Sequence, residues 1–203
     1  MNMMNTGERH AWQQLSVLDP RAVSTRTGVA FDKEKGCYVL NLFNQTVEAY
    51  LEEQEIRAAE ALGQHLVNSF SYFSRLAILS FLVHGSDIPP SGQLVKPGSL
   101  PGMQAMVSGS HTLPLNKLAT RYECAIEEFV RRGQELGGRT ENYGDASLRL
   151  HPFKPLPVVL ILHKADDEFP ASADLLLDAT SRYQMPPDVL WSVMMLSIPA
   201  MMQ

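Results

Sequence analysis

Val158-Val159-Leu160-Ile161-Leu162 is the stretch on which the fold turns. It is an unbroken apolar run between Pro157 and His163, rich in β-branched residues and too short for a free-standing helix. Such a run predicts a strand buried on both faces. On its N-terminal side Ala146, Leu148 and Leu150 alternate with Ser147, Arg149 and His151, which predicts a neighbouring strand with one polar face. The Pro-rich link 152–157 makes the two a hairpin, which sets Asp145 and Ala146 beside His163 and Lys164. On the C-terminal side the chain leaves through Asp166-Asp167-Glu168 and Phe169-Pro170 into a short Ala/Leu-rich element, 171–177.

Further out, periodicity predicts mostly helices. Residues 8–17 read as a short amphipathic helix with Trp12 and Leu15 inward. Asp19-Pro20 reads as an N-cap followed by proline in the first turn, opening a second helix that stops near Gly28. Residues 36–43 alternate as a strand, Asn44-Gln45 forms a turn, and 46–51 returns. The charged stretch 52–63 reads as weakly helical. In 70–84, Phe70, Phe73, Ala77, Phe81 and His84 make one stripe and Leu76, Leu79 and Val83 another, which predicts a helix covered on most sides and capped by Gly85. A loop rich in Gly and Pro follows over 86–112. Residues 114–136 carry a continuous 3.6-residue period and predict the longest helix, with Lys117, Arg121, Cys124, Glu128 and Arg131 outward. Pro186-Pro187 opens the last helix, which is almost without a polar face. It predicts a core helix, or alternatively an apolar homodimer contact over residues 188–203.

The sum is a single α+β domain over residues 1–203, a mostly antiparallel sheet with helices packed on it. The length of 203 residues suits one domain. Seventeen Lys+Arg against 22 Asp+Glu leave a net charge of -5, which argues against nucleic acid and against an anionic membrane surface as partners. The N-terminal residues carry no apolar leader, and the run 76–83 is far short of the roughly 20 residues of a spanning helix, so a cytoplasmic protein is expected. Cys37 and Cys124 are too few for a four-cysteine zinc site and read as free thiols.

No dinucleotide-binding glycine pattern, phosphate-binding loop, serine-hydrolase elbow, zincin motif or C-x-x-C is present, so no cofactor or metal is assigned. The chemistry-bearing residues gather in two places. The first is the end of the central strand, where Asp145, His163, Asp167 and Glu168 join Asp166, with Arg149 and His151 on the neighbouring strand. A carboxylate beside an imidazole orients it, raises its pKa and makes an acid/base pair. The second is the loop from Gly102 to His111, whose backbone N–H groups suit an anion.

Several segments resemble one uncharacterised prokaryotic family, a domain of unknown function numbered 3786. They are Gly85-Ser86-Asp87-Ile88-Pro89-Pro90, Pro97-Gly98-Ser99-Leu100-Pro101-Gly102, Gly109-Ser110-His111 running into Leu113-Pro114-Leu115, Gly144-Asp145-Ala146-Ser147-Leu148-Arg149, and Asp166-Asp167-Glu168-Phe169-Pro170. The resemblance covers residues 8–191 and implies an anaerobic bacterial or archaeal setting. Some relatives carry an appended iron–sulfur segment, for which this chain lacks the cysteines. The recurring segments coincide with both candidate loops. The expected function is a small-ligand- or partner-binding accessory module. The alternatives are an enzyme using His163 with Asp145 or Asp167, with or without a divalent metal, and a structural homodimer subunit.

Overall fold

The computed structural model describes residues 6–69, 71–104 and 112–202. Helix α1 (Thr6–Ser16) buries Trp12 and Leu15. Helix α2 (Pro20–Thr27) begins as its sequence requires. The Asp19 carboxylate accepts the Arg21 N–H at 3.1 Å, and Gly28 ends the helix in the left-handed region at φ 70°.

Strands β1 (Ala30–Asp32), β2 (Cys37–Leu42), β3 (Gln45–Tyr50) and β4 (Glu55–Ala58) form an antiparallel meander in that order. β4 falls in the stretch expected to be weakly helical. Only Ile56 in it is buried, opposite Ala49, while Glu55 and Arg57 pair with each other outside. One inward side chain leaves no alternation to read. The turn between β2 and β3 centres on Phe43-Asn44, one residue earlier than expected, with φ of 47° and 62° as a two-residue hairpin turn demands. Phe43 is held there by its buried ring and by its N–H, which donates to the Pro152 carbonyl at 3.3 Å.

Helices α3 (Ala61–Ser69) and α4 (Ser71–His84) follow. α4 is the expected buried helix, although Phe70 itself lies outside the described residues. The Arg26 guanidinium donates to the Leu82 carbonyl at 2.7 Å and to the Gly85 carbonyl, setting a cation over the negative end of α4. The stretch 86–112 contains strand β5 (Leu94–Val95) and a 3-10 turn over Pro97–Ser99.

The single helix expected over 114–136 is two helices, α5 (Leu115–Tyr122) and α6 (Ile126–Glu135). Their apolar period continues through Tyr122, Ile126 and Phe129, and no Pro or Gly marks the break. The break at Ala125 (φ -136°) lets both helices dock on one chain end. The Tyr122 hydroxyl donates to the Met201 carbonyl, and Arg132 Nε donates to the Ala200 carbonyl at 2.9 Å.

Strands β6 (Arg139–Glu141), β7 (Ala146–Phe153), β8 (Leu156–His163) and β9 (Ser172–Asp178) complete a second antiparallel sheet, ordered β5-β9-β8-β7-β6. The fold is α+β as expected, but with two sheets instead of one. β8 is its central strand, and its two faces are buried differently. Val158, Leu160 and Leu162 join the main core. Val159 and Ile161 lie on the opposite face, flanked across the ladder by Arg149 and Leu176 and by Ser147 and Asp174.

Helix α7 (Pro187–Met201) is the core helix that its composition suggests. Leu190, Val193, Met194, Leu196 and Ile198 are all buried, packed beside α4 and the second sheet. The apolar surface considered for a homodimer contact is therefore largely inside this chain. Among the described residues no single helix is long and apolar enough to cross a membrane.

α6 crosses β7 at Gly133, where an added Cβ would lie 2.2 Å from Cδ1 and 2.7 Å from Cδ2 of Leu148. Leu148 is fully buried and has nowhere to retreat. Gly133→Ala is therefore expected to destabilise by about 1–2 kcal/mol, overpacking exceeding the ~1 kcal/mol gained in helix propensity. A urea midpoint at or above that of the parent would contradict this close approach.

Candidate functional site

The β7–β8 register pairs Ala146 with Leu162 and brings Asp145 to the end of β8, as expected. The Asp145 N–H donates to the Leu162 carbonyl at 2.9 Å, and its carboxylate accepts the Lys164 N–H at 2.8 Å. Its bonded partner is thus backbone, not imidazole. His163 instead faces Asp174 on β9, with Nε2 3.6 Å from Oδ2. The other oxygen of Asp174 lies 3.5 Å from Lys96 Nζ, just beyond β5. Asp174 is the acid that sequence reading missed. Its only signal was a lone carboxylate within the Ala/Leu-rich element.

Arg149 shares the outer face of the sheet with His163 but not its neighbourhood. It sits opposite Val159, four residues or about 13 Å along β8 from His163, and forms an ion pair with Glu141. His151, farther along β7, is pushed below the usual histidine range by burial and then by the positive Arg149 and Arg139.

The acidic turn after β8 closes on itself. The Asp166 carboxylate accepts the N–H groups of Glu168 at 2.9 Å and Phe169 at 2.7 Å, which holds it below the usual carboxylate range. Asp167 and Glu168 are exposed on this turn and form no ion pair among the described residues. Gly102 lies against the start of α7, where a Cβ would come 3.0 Å from Pro187 Cγ. His111 lies outside the described residues.

The long stretch does meet the second sheet, through other residues. Lys96, Pro97 and Gly98 with Thr112, Leu113 and Leu115 enclose, against Asp174 and Leu175, a recess of about 230 Å³. The Lys96–Asp174 ion pair and the His163–Asp174 contact at its rim join half-exposed or exposed side chains. Such pairs contribute about 1 kcal/mol or less, so an incoming charged group can displace them at little cost.

A second pair of residues, Asp178 and Gln184, anchors the start of the long stretch. Asp178, at the end of β9, accepts from the Ser91 N–H and hydroxyl, the Gly92 N–H, and the Thr180 N–H and hydroxyl. Gln184 accepts the Ser86 N–H at 3.2 Å and donates to the Ile88 carbonyl at 2.8 Å. Among the described residues no group of three or more His, Cys, Asp or Glu is placed to hold a metal ion.

A family model described as a domain of unknown function (DUF3786) matches residues 19–199. The chain belongs to this family. The DUF3786 match runs from the cap residue of α2 to the last turn of α7, so it includes both sheets, the recess at Asp174 and the Asp178 anchor. No curated protein and no solved structure matches this DUF3786 chain. Its chemistry therefore has to be argued from its own residues.

Proposed function

We propose that this chain is a non-catalytic accessory module that binds a small ligand at the recess beside Asp174. One observation carries the reading. Asp174 is the meeting point of a cation from the long stretch, Lys96, and an imidazole from the end of the central strand, His163, beside a recess with apolar walls from Leu113, Leu115 and Leu175. Convergent polar groups on an apolar recess are the usual composition of a ligand site. A setting in anaerobic metabolism rests on the family resemblance alone.

The test is a thermal-shift and native mass-spectrometry screen of metabolites and cofactors, followed by titration. A ligand at one hundred times its Kd is expected to stabilise the chain by about 2.7 kcal/mol. Asp174→Ala is expected to weaken that ligand at least tenfold without changing the melting temperature of the free protein by more than a few degrees. Failure of every compound, with no partner in pull-downs, or equal binding by Asp174→Ala, overturns the reading.

The His163–Asp174 pair also favours a second reading, an enzyme with imidazole and carboxylate as acid and base. Asp174 would replace Asp145 or Asp167 as the partner acid. Turnover of a bound ligand, lost in His163→Gln while binding persists, distinguishes that reading from the first.

A further inference from the structure

We propose a second ligand site, distinct from the recess at Asp174, in the cleft at the seam of the two sheets. Its ligand class is a small molecule with an apolar body and one anionic head.

The cleft lies beside the point where the β7–β8 ladder breaks register, between Leu150 and Phe153. The break leaves the Pro152 carbonyl outside the β7–β8 pairing, where it accepts the Phe43 N–H and locks the end of β2 against the hairpin tip. Lys154 and Pro155 of that tip line, together with β2, the end of α2 and Phe81 of α4, a cleft of about 270 Å³. Its volume is about nine water volumes, which suits a fragment-sized ligand of roughly ten heavy atoms.

The walls have two characters. Val29, Leu40, Phe81 and Phe153 supply the apolar lining, in which the Phe81 and Phe153 rings stack on each other at 4.6 Å. At the hairpin side the polar groups gather. Asn41 and Thr46 are directly paired across β2 and β3, and Lys154 joins them from the tip. Lys154 forms no ion pair among the described residues. The Lys154 ammonium at one end of an apolar cleft suits a carboxylate or similar anion there, with Asn41 and Thr46 among the residues around it. The opposite end is closed by Thr27 and Gly28 at the carbonyl end of α2, with Asp87 beside Gly28. That end repels a second negative charge, so the apolar tail points toward it. Thr27 offers little there, because its hydroxyl already donates to the Val23 carbonyl at 2.7 Å and accepts the Val29 N–H.

Octanoate is the probe, with octanol (tail without charge) and acetate (charge without tail) as controls, titrated into the intact chain and followed by ¹H–¹⁵N NMR. Octanoate is expected to shift the amides of Gly28, Val29, Leu40, Asn41, Thr46 and Lys154, and to bind at least tenfold more tightly than either control. Lys154→Glu, on an exposed turn, is expected to weaken octanoate at least tenfold while Asp174→Ala leaves it unchanged. Three results would overturn the site: no shift at these amides, equal binding of octanol, or a Lys154→Glu chain that binds octanoate as the parent does. Because the recess at Asp174 is titrated separately, either site can fail without the other.

Discussion

Asp178→Ala is expected to destabilise the chain by about 2–4 kcal/mol and to lower its melting temperature by roughly 10 °C. Asp178 is fully buried at the end of β9 and accepts from three backbone N–H groups and two hydroxyls. Alanine removes a charged acceptor from five donors at once, and hydrogen bonds to a charged group are the stronger ones; Ser91 and Gly92 are exposed and can turn to water, while Thr180 is half-buried. The same site makes stability depend on pH. Burial pushes the Asp178 carboxyl up, but the hydrogen bonds from Thr180 and Ser91 outweigh it and bring the group from 3.8 down to about 2. A folded-state pKa below the unfolded one means that the unfolded chain binds the proton first. The stabilisation, about 2 kcal/mol, is therefore complete above pH 4 and is lost as pH falls from about 4 through 2. Denaturant titrations at pH 6, 4, 3 and 2 should show this loss in the parent and a smaller one in Asp178→Asn. An Asp178→Ala chain within 1 kcal/mol of the parent at pH 7 would show that the clamp on the 86–92 segment carries no weight.

The second large effect separates the two faces of β8. Leu160→Ala is expected to cost 2–5 kcal/mol, because Leu160 is wholly buried in the main core, where neighbouring side chains cannot collapse into the void. Val159→Ala, one residue away and equally buried, is expected to cost about 1 kcal/mol. Its cross-strand neighbours Arg149 and Leu176 are only partly buried and are able to resettle over the smaller residue. Chemical denaturation of the two variants measures the difference. Equal costs would mean that a rigid layer covers both faces.

Those two faces mark the boundary between what was legible in the sequence and what was not. The run Val158–Leu162 announced a buried strand, and the Ser147, Arg149, His151 alternation announced a polar face, because both depend on residues a few positions apart. The same locality made the Asp19-Pro20 helix start, the Gly28 stop and the buried α4 readable. It hid β4, whose single inward residue has no period, and the break between α5 and α6, where the hydrogen bonds to Ala200 and Met201 come from the far end of the chain.

The candidate site divides along the same line. Asp145 beside the end of β8 followed from counting residues around one hairpin. The partner of His163 did not, because Asp174 is brought to it by β9, across a ladder whose register no local pattern specifies. Gly102 and the acidic turn were grouped by composition, yet the turn satisfies its own backbone and Gly102 packs on Pro187. Sequence alone thus determined the strands β2, β3, β7 and β8, the start and stop of α2 and the buried helices α4 and α7, since short-range periodicity and turn chemistry are written in neighbouring residues. Only the tertiary structure decided that there are two sheets, which acid meets His163, and that a cleft lies where the hairpin tip meets β2, since those outcomes depend on contacts between residues far apart in the chain.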